Sequence, residues 1–177
     1  MGKHDRLCGS GTKDMKISRV IATFGGCGLS PKAPGTVGSL AALLVALPFM
    51  RRKRVLATGA VVASVAGWWA ADQAGDGEDH GWIVIDEVAG MWISLLACTA
   101  SKTTEDTSSQ ENPFIWSLVA FALFRLFDIR KPGPVGVLDR RHDALGIMGD
   151  DIVAGIMAAG FIKTFRWLGR ALKPAKG

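Results

Sequence analysis

Cysteine and histidine are scarce in this sequence. Cysteine occurs at Cys8, Cys27 and Cys98, and histidine at His4, His80 and His142. The cysteines are odd in number and far apart. That excludes a disulfide framework and the closely paired ligands of a structural zinc site. Gly25-Gly26-Cys27-Gly28 lacks the lysine of a phosphate-cradling P-loop. Residues 1–16 are polar, and no short apolar run with a small-residue cleavage site follows directly, so no cleavable signal peptide is expected.

Apolar residues make up 49% of the 177 positions and charged residues 21%, enough for the core of one domain. Apolar runs and charged loops are sharply segregated. The net charge of +5 suits anionic lipid or phosphorylated ligands. Nucleic acid binding would need a basic face with groove-reading elements. Here the basic residues sit in short loops between apolar runs, as they would at a membrane surface, so no nucleic acid partner is expected.

Residues 1–16 read as a disordered basic tail, 17–168 as one helical domain and 169–177 as a basic C-terminal tail. Within the domain, 16–29 is mildly apolar and Gly-rich, suited to an interfacial or re-entrant helix. Apolar runs follow at 36–50, 55–71, 82–100, 113–129 and 150–167, with 30–35, 72–81, 101–112 and 130–149 as loops. A full span takes about 20 apolar residues, and several of these runs are at or below that length. The expected fold is all-α: a compact membrane bundle of four to five hydrophobic helices, some re-entrant or interfacial. A soluble helical protein with buried helices is the alternative.

The charged residues inside or bordering apolar runs are the candidates for chemistry. Asp86 and Glu87 interrupt the 82–100 run, and carboxylates in hydrocarbon mark functional sites by default. Adjacent helical positions point about 100° apart, so one can face a metal while the other bonds a neighbouring helix. Gly90, one turn on, permits close helix approach. Arg125 and Asp128 share a helix face, and Pro132 places Lys131 where that helix gives way to loop. Asp139 and Arg140 follow in the loop. Asp150 and Asp151 open the last run, where capping accounts for one of them and leaves the other for a metal. Asp79 and His80 are weaker candidates, since a loop histidine is commonly just solvated. Thr36 or Ser39 can cap the helix that follows Pro34-Gly35, leaving free N–H groups for an anion.

In a bundle of antiparallel helices, the start of the 36–50 run and the 72–81 and 130–149 loops fall at one end, which gathers these groups together. Carboxylates with Arg and Lys suit a hard divalent cation beside a phosphate. Other phosphatase chemistries lack their residues: no Cys precedes Arg by six positions, no Asp-x-Asp-x-Thr/Val stretch occurs, and no Ser-Gly-His motif is present. A small ion transporter is the rival class, because it too would use intramembrane carboxylates. It has no use for arginine and lysine among them.

Taken in order, Pro34-Gly35-Thr36-Val37-Gly38-Ser39-Leu40, Asp79-His80-Gly81, Asp86-Glu87-Val88-Ala89-Gly90-Met91-Trp92-Ile93, Phe124 to Pro134, Asp139-Arg140 and Gly146 to Gly155 resemble the phosphatidylglycerophosphatase A family over about residues 20–165. The resemblance implies a magnesium-dependent hydrolase that converts phosphatidylglycerophosphate to phosphatidylglycerol and phosphate. It implies a multi-pass protein of the bacterial inner membrane with the catalytic end facing the cytosol. Basic residues divide almost evenly between the two ends, so charge gives no orientation. Asp86, Glu87, Asp128, Asp139, Asp150 and Asp151 are the expected metal ligands. One of Asp86, Glu87, Asp128 and Asp151 is the expected general base, and Arg125, Lys131, Arg140 and Thr36 are expected at the substrate. The stretch Arg141-His142-Asp143-Ala144-Leu145 departs from the family pattern, being one residue shorter and lacking a Gly-Gly pair.

Overall fold

The computed structural model describes residues 11–74, 80–99, 112–141 and 143–172. Every regular element among them is helical: α1 (Gly11–Ala22), α2 (Pro34–Ala46), α3 (Lys53–Ala74), α4 (Ile85–Leu95), α5 (Pro113–Arg130), α6 (Pro134–Asp139) and α7 (Ala144–Ala171), with 3-10 turns at Cys27–Leu29 and Leu47–Phe49.

Local chemistry sets most of the boundaries. Proline at the first helical position starts α2, α5 and α6, because its ring already holds the helical φ and its missing N–H would have no partner there. Asn112 caps α5 by accepting from Phe114 N at 3.0 Å. That helix ends at Lys131, which takes a left-handed φ of 46° before Pro132.

Several boundaries differ from the expected ones, and α4 is shorter than the 82–100 run. Helix α1 begins at Gly11, inside the stretch read as tail. The 130–149 stretch holds α6 and the start of α7. Asp150 and Asp151 therefore lie well inside α7 and are not its cap. Asp143 is the cap and accepts from Gly146 N at 2.9 Å. Neither Thr36 nor Ser39 caps α2, whose N-cap is Ala33.

Helix α4 is the axis of the molecule. It packs against α2, α3, α5 and α7. Met91 and Leu95 of α4 are wholly buried with Leu56 of α3, Phe124 of α5 and Ile162 of α7. Trp92 Nε1 donates to Ala42 O at 2.9 Å, tying α4 to α2. Helices α4 and α7 run parallel and cross where glycine faces glycine. A Cβ on Gly155 would overlap the carbonyl of Gly90, and one on Gly90 would lie 2.5 Å from Asp151 O. The expected close approach at Gly90 is thus made by α7.

Helices α3 and α7 contain stretches of 21 and 28 residues that are long and apolar enough to cross a membrane. Outward-facing apolar side chains are not confined to those two: Leu44 of α2 and Ile115 of α5 are more than half exposed, as are Val61 of α3 and Phe161 of α7.

A buried carboxylate cluster as the candidate active site

Parallel packing of α4 and α7 brings two acidic pairs together. Asp86 and Glu87 occupy the first turn of α4, and Asp150 and Asp151 lie one turn before the Gly90–Gly155 crossing. The pairs share a local geometry. Asp86 Oδ1 accepts from Glu87 N, and Asp150 Oδ1 accepts from Asp151 N, each at 2.9 Å. In each pair the leading residue is held by the backbone and the second projects from it. Ligand oxygens of Asp86, Glu87 and Asp151 all lie within 4.8 Å of one another.

These carboxylates are removed from water. Asp86, Asp150 and Asp151 are each at most 8% exposed. Glu87 Oε2 and Asp151 Oδ1 are buried without a hydrogen-bond partner. Helix α4, at 11 residues, is too short to span a bilayer. Burial, reinforced by Glu87, raises the pKa of Asp86. Burial, with the charges of Asp151 and Asp128 added, pushes Glu87 up to about 8. Clustered buried acids with orphaned oxygens are the donor set that a hard cation satisfies, so the residues fit a divalent ion.

Two cations border the cluster. From α5, Arg125 Nη1 contacts Asp128 Oδ2 at 2.5 Å and Glu87 Oε1 at 4.0 Å. Asp128 lies beside Asp151. At the C-terminus of α5, Lys131 Nζ contacts Asp139 and reaches Asp150 Oδ2 at 3.0 Å. Burial works against this ammonium, but the two carboxylates outweigh it and its pKa is raised.

Residues 20–166 match the family described as Phosphatidylglycerophosphatase A. The chain belongs to the phosphatidylglycerophosphatase A family. It is 36% identical to the phosphatidylglycerophosphatase A of Escherichia coli, over 90% of both chains. It is 35% identical to the Haemophilus influenzae protein of that name, over 78% of this chain and 82% of the relative. A Bacteroides thetaiotaomicron protein, named as a candidate phosphatidylinositol-3-phosphatase, is 36% identical over 84% of this chain and 93% of its own length. No solved structure matches the chain.

The family motifs are far apart in sequence but not all converge in space. Asp86, Glu87, Asp128, Asp150, Asp151 and Arg125 form one group, with Lys131 on its edge. Asp139 joins through Lys131 and does not fall among the clustered oxygens. Arg140 is exposed and donates to Gly136 O at 2.9 Å. His80 stacks on Trp82 with ring centroids 5.4 Å apart, and Arg19 lies over the same indole. Thr36 is half-buried in the first turn of α2. Asp79 and His142 lie outside the described residues. Two residues at the cluster were not foreseen as site residues, Gly35 and Ser39. Both belong to the Pro34 to Leu40 motif, where Ser39 reads as a cap.

Proposed function

We propose that this protein is a magnesium-dependent phosphatase of the bacterial inner membrane that hydrolyses phosphatidylglycerophosphate to phosphatidylglycerol and phosphate. The observation that carries the reading is the meeting of Asp86, Glu87 and Asp151, with a buried, unpartnered oxygen on Glu87 and another on Asp151, beside an arginine in a chain of this family. A transport path for cations would gain nothing from Arg125 at that point.

Asp86, Glu87 and Asp151 would hold the ion, with Asp128 and Asp150 as further oxygen donors and Asp139 as an outer one. When bound, magnesium neutralises negative charge on the phosphate oxygens. The chain's own residues do the rest. Arg125 offers a planar fork of N–H donors to the terminal phosphate, and Lys131, held between Asp139 and Asp150, adds a point charge. Arg140 and Thr36 would add further contacts to the substrate. A carboxylate among Asp86, Glu87, Asp128 and Asp151 takes a proton from the attacking water. As the new P–O bond forms, the phosphorus–glycerol oxygen bond breaks and a proton passes to the leaving oxygen. Such transfer depends mainly on positioning and charge, because little covalent chemistry is asked of the protein.

The bundle's apolar exterior would sit in the bilayer, with the carboxylate end facing the cytosol. The test is phosphate release by purified protein in detergent, with magnesium or with EDTA. Phosphatidylglycerophosphate, phosphatidic acid, a phosphatidylinositol phosphate and a soluble phosphomonoester are compared. Release from phosphatidylglycerophosphate that EDTA abolishes is expected. Undiminished release in EDTA would remove the metal, and equal turnover of the soluble ester would remove the lipid specificity.

A further inference from the structure

Arg125 is held from α2 as well as by the acids. Ser39 is wholly buried. Its hydroxyl donates back to Gly35 O at 2.7 Å. A hydroxyl has one proton and two lone pairs, so once the proton is committed the oxygen can act only as an acceptor. Arg125 Nη1 donates to it at 3.4 Å, from 86 positions away in the sequence. Gly35, one turn earlier, shapes the same wall. A Cβ there would overlap Glu87 Oε1 and lie 3.3 Å from both Arg125 Nη atoms.

The chemistry of this acceptor is distinctive. Every other partner shown for the guanidinium is a carboxylate. An acid holds an arginine by neutralising it, and so weakens it as an anion binder. A hydroxyl fixes the group while leaving its charge available. The proton direction is set by the i−4 bond to Gly35, so Ser39 presents a lone pair, not a competing donor. A serine that only bonded back along its own helix would be close to neutral when removed.

We infer that Ser39 is a positioning residue for Arg125, orienting the guanidinium toward the terminal phosphate of the substrate without discharging it. The inference rests on the phosphate-binding role proposed above for Arg125. The experiment is a double-mutant cycle on the full-length protein in mixed micelles of phosphatidylglycerophosphate with magnesium, using Ser39→Ala, Arg125→Ala and the double variant. Ser39→Ala is expected to raise KM about fivefold, the order of one long hydrogen bond, with kcat changed less than KM. The double variant is expected to match Arg125→Ala alone. An unchanged KM in Ser39→Ala beside an impaired Arg125→Ala would overturn the positioning role and leave the phosphate-binding role standing. Losses that multiply in the double variant would do the same, because they would show Ser39 acting apart from Arg125. A normal KM in Arg125→Ala would sink the phosphate-binding role, and this inference with it. Ser39→Cys, similar in size and a weaker acceptor, gives the second reading if the alanine variant fails to fold. A smaller KM rise is then expected, and none overturns the inference.

Discussion

Glu87 is one of the three acids whose oxygens meet where α4 packs on α7. Its carboxylate is buried, one oxygen has no partner, and burial with nearby acids pushes its pKa to about 8. A neutral amide avoids the cost of holding this buried acid protonated at a pH above its ordinary 4.5. Glu87→Gln is therefore expected to raise the thermal midpoint of the EDTA-treated protein while lowering phosphate release at least about a hundredfold. Calorimetry beside a phosphate assay checks both; a destabilised variant would show that Glu87 is a structural acid. Asp128 differs, since it is already paired at 2.5 Å with Arg125. Asp128→Asn is expected to abolish turnover with helicity unchanged by circular dichroism, and wild-type turnover would take Asp128 out of the site. Both acids are conspicuous in sequence because they interrupt apolar runs. Ser39 is not, since a serine in the second turn of a helix is ordinary until its partner from α5 is known.

Between elements, the decisive contact is the crossing of α4 and α7. Carbonyl and Cα atoms of Gly90 lie where a Cβ on Gly155 would go, and the clustered acids lie one turn away. Gly155→Ala forces the helices apart. Overpacking of this kind costs about 1–3 kcal/mol, so a lower thermal midpoint and reduced phosphate release are expected together. A variant with normal stability and activity would show that the crossing has slack. The start of α7 supplies a pH test. Arg141, with the Gly146 N–H, holds the Asp143 carboxyl at about 2, below its ordinary 3.8. A depressed pKa in the folded state means stability that is present above the ordinary value and lost as pH falls toward about 2. The thermal midpoint of Asp143→Ala is expected to lie below that of the parent at pH 6 and to converge with it near pH 2. A constant gap would assign the loss to packing. Most helices were legible as apolar runs, and Pro132 marked the end of α5. Helix α6 and the start of α7 were not, because the glycines and prolines of the 130–149 stretch look like loop while Pro134 and Asp143 are in fact helix-starting residues.

Over the whole molecule, apolar side chains line both the core and the exterior. Val61, Val62, Val65 and Trp69 form an open apolar groove along α3, and half or less of the apolar windows in α3 and α7 is buried inside the bundle. Water would penalise such a surface and hydrocarbon would not. The protein is expected to stay with the membrane pellet through an alkaline carbonate wash and to leave it only with detergent. Recovery in the aqueous supernatant would contradict an embedded bundle. Among the described residues, α3 and α7 are the two helices long and apolar enough to cross.

The sequence by itself determined the helical class, most helix positions and the identity of the unusual acids. Each of those follows from local facts: the length of an apolar run, a proline at a boundary, a charge where hydrocarbon is expected. Tertiary structure alone decided which acids meet, that Asp139 stands outside behind Lys131, and that Ser39 answers Arg125 across 86 positions. Those are matters of which helix faces pack together, and packing is settled by the shapes of residues far apart in the chain, which no local pattern records.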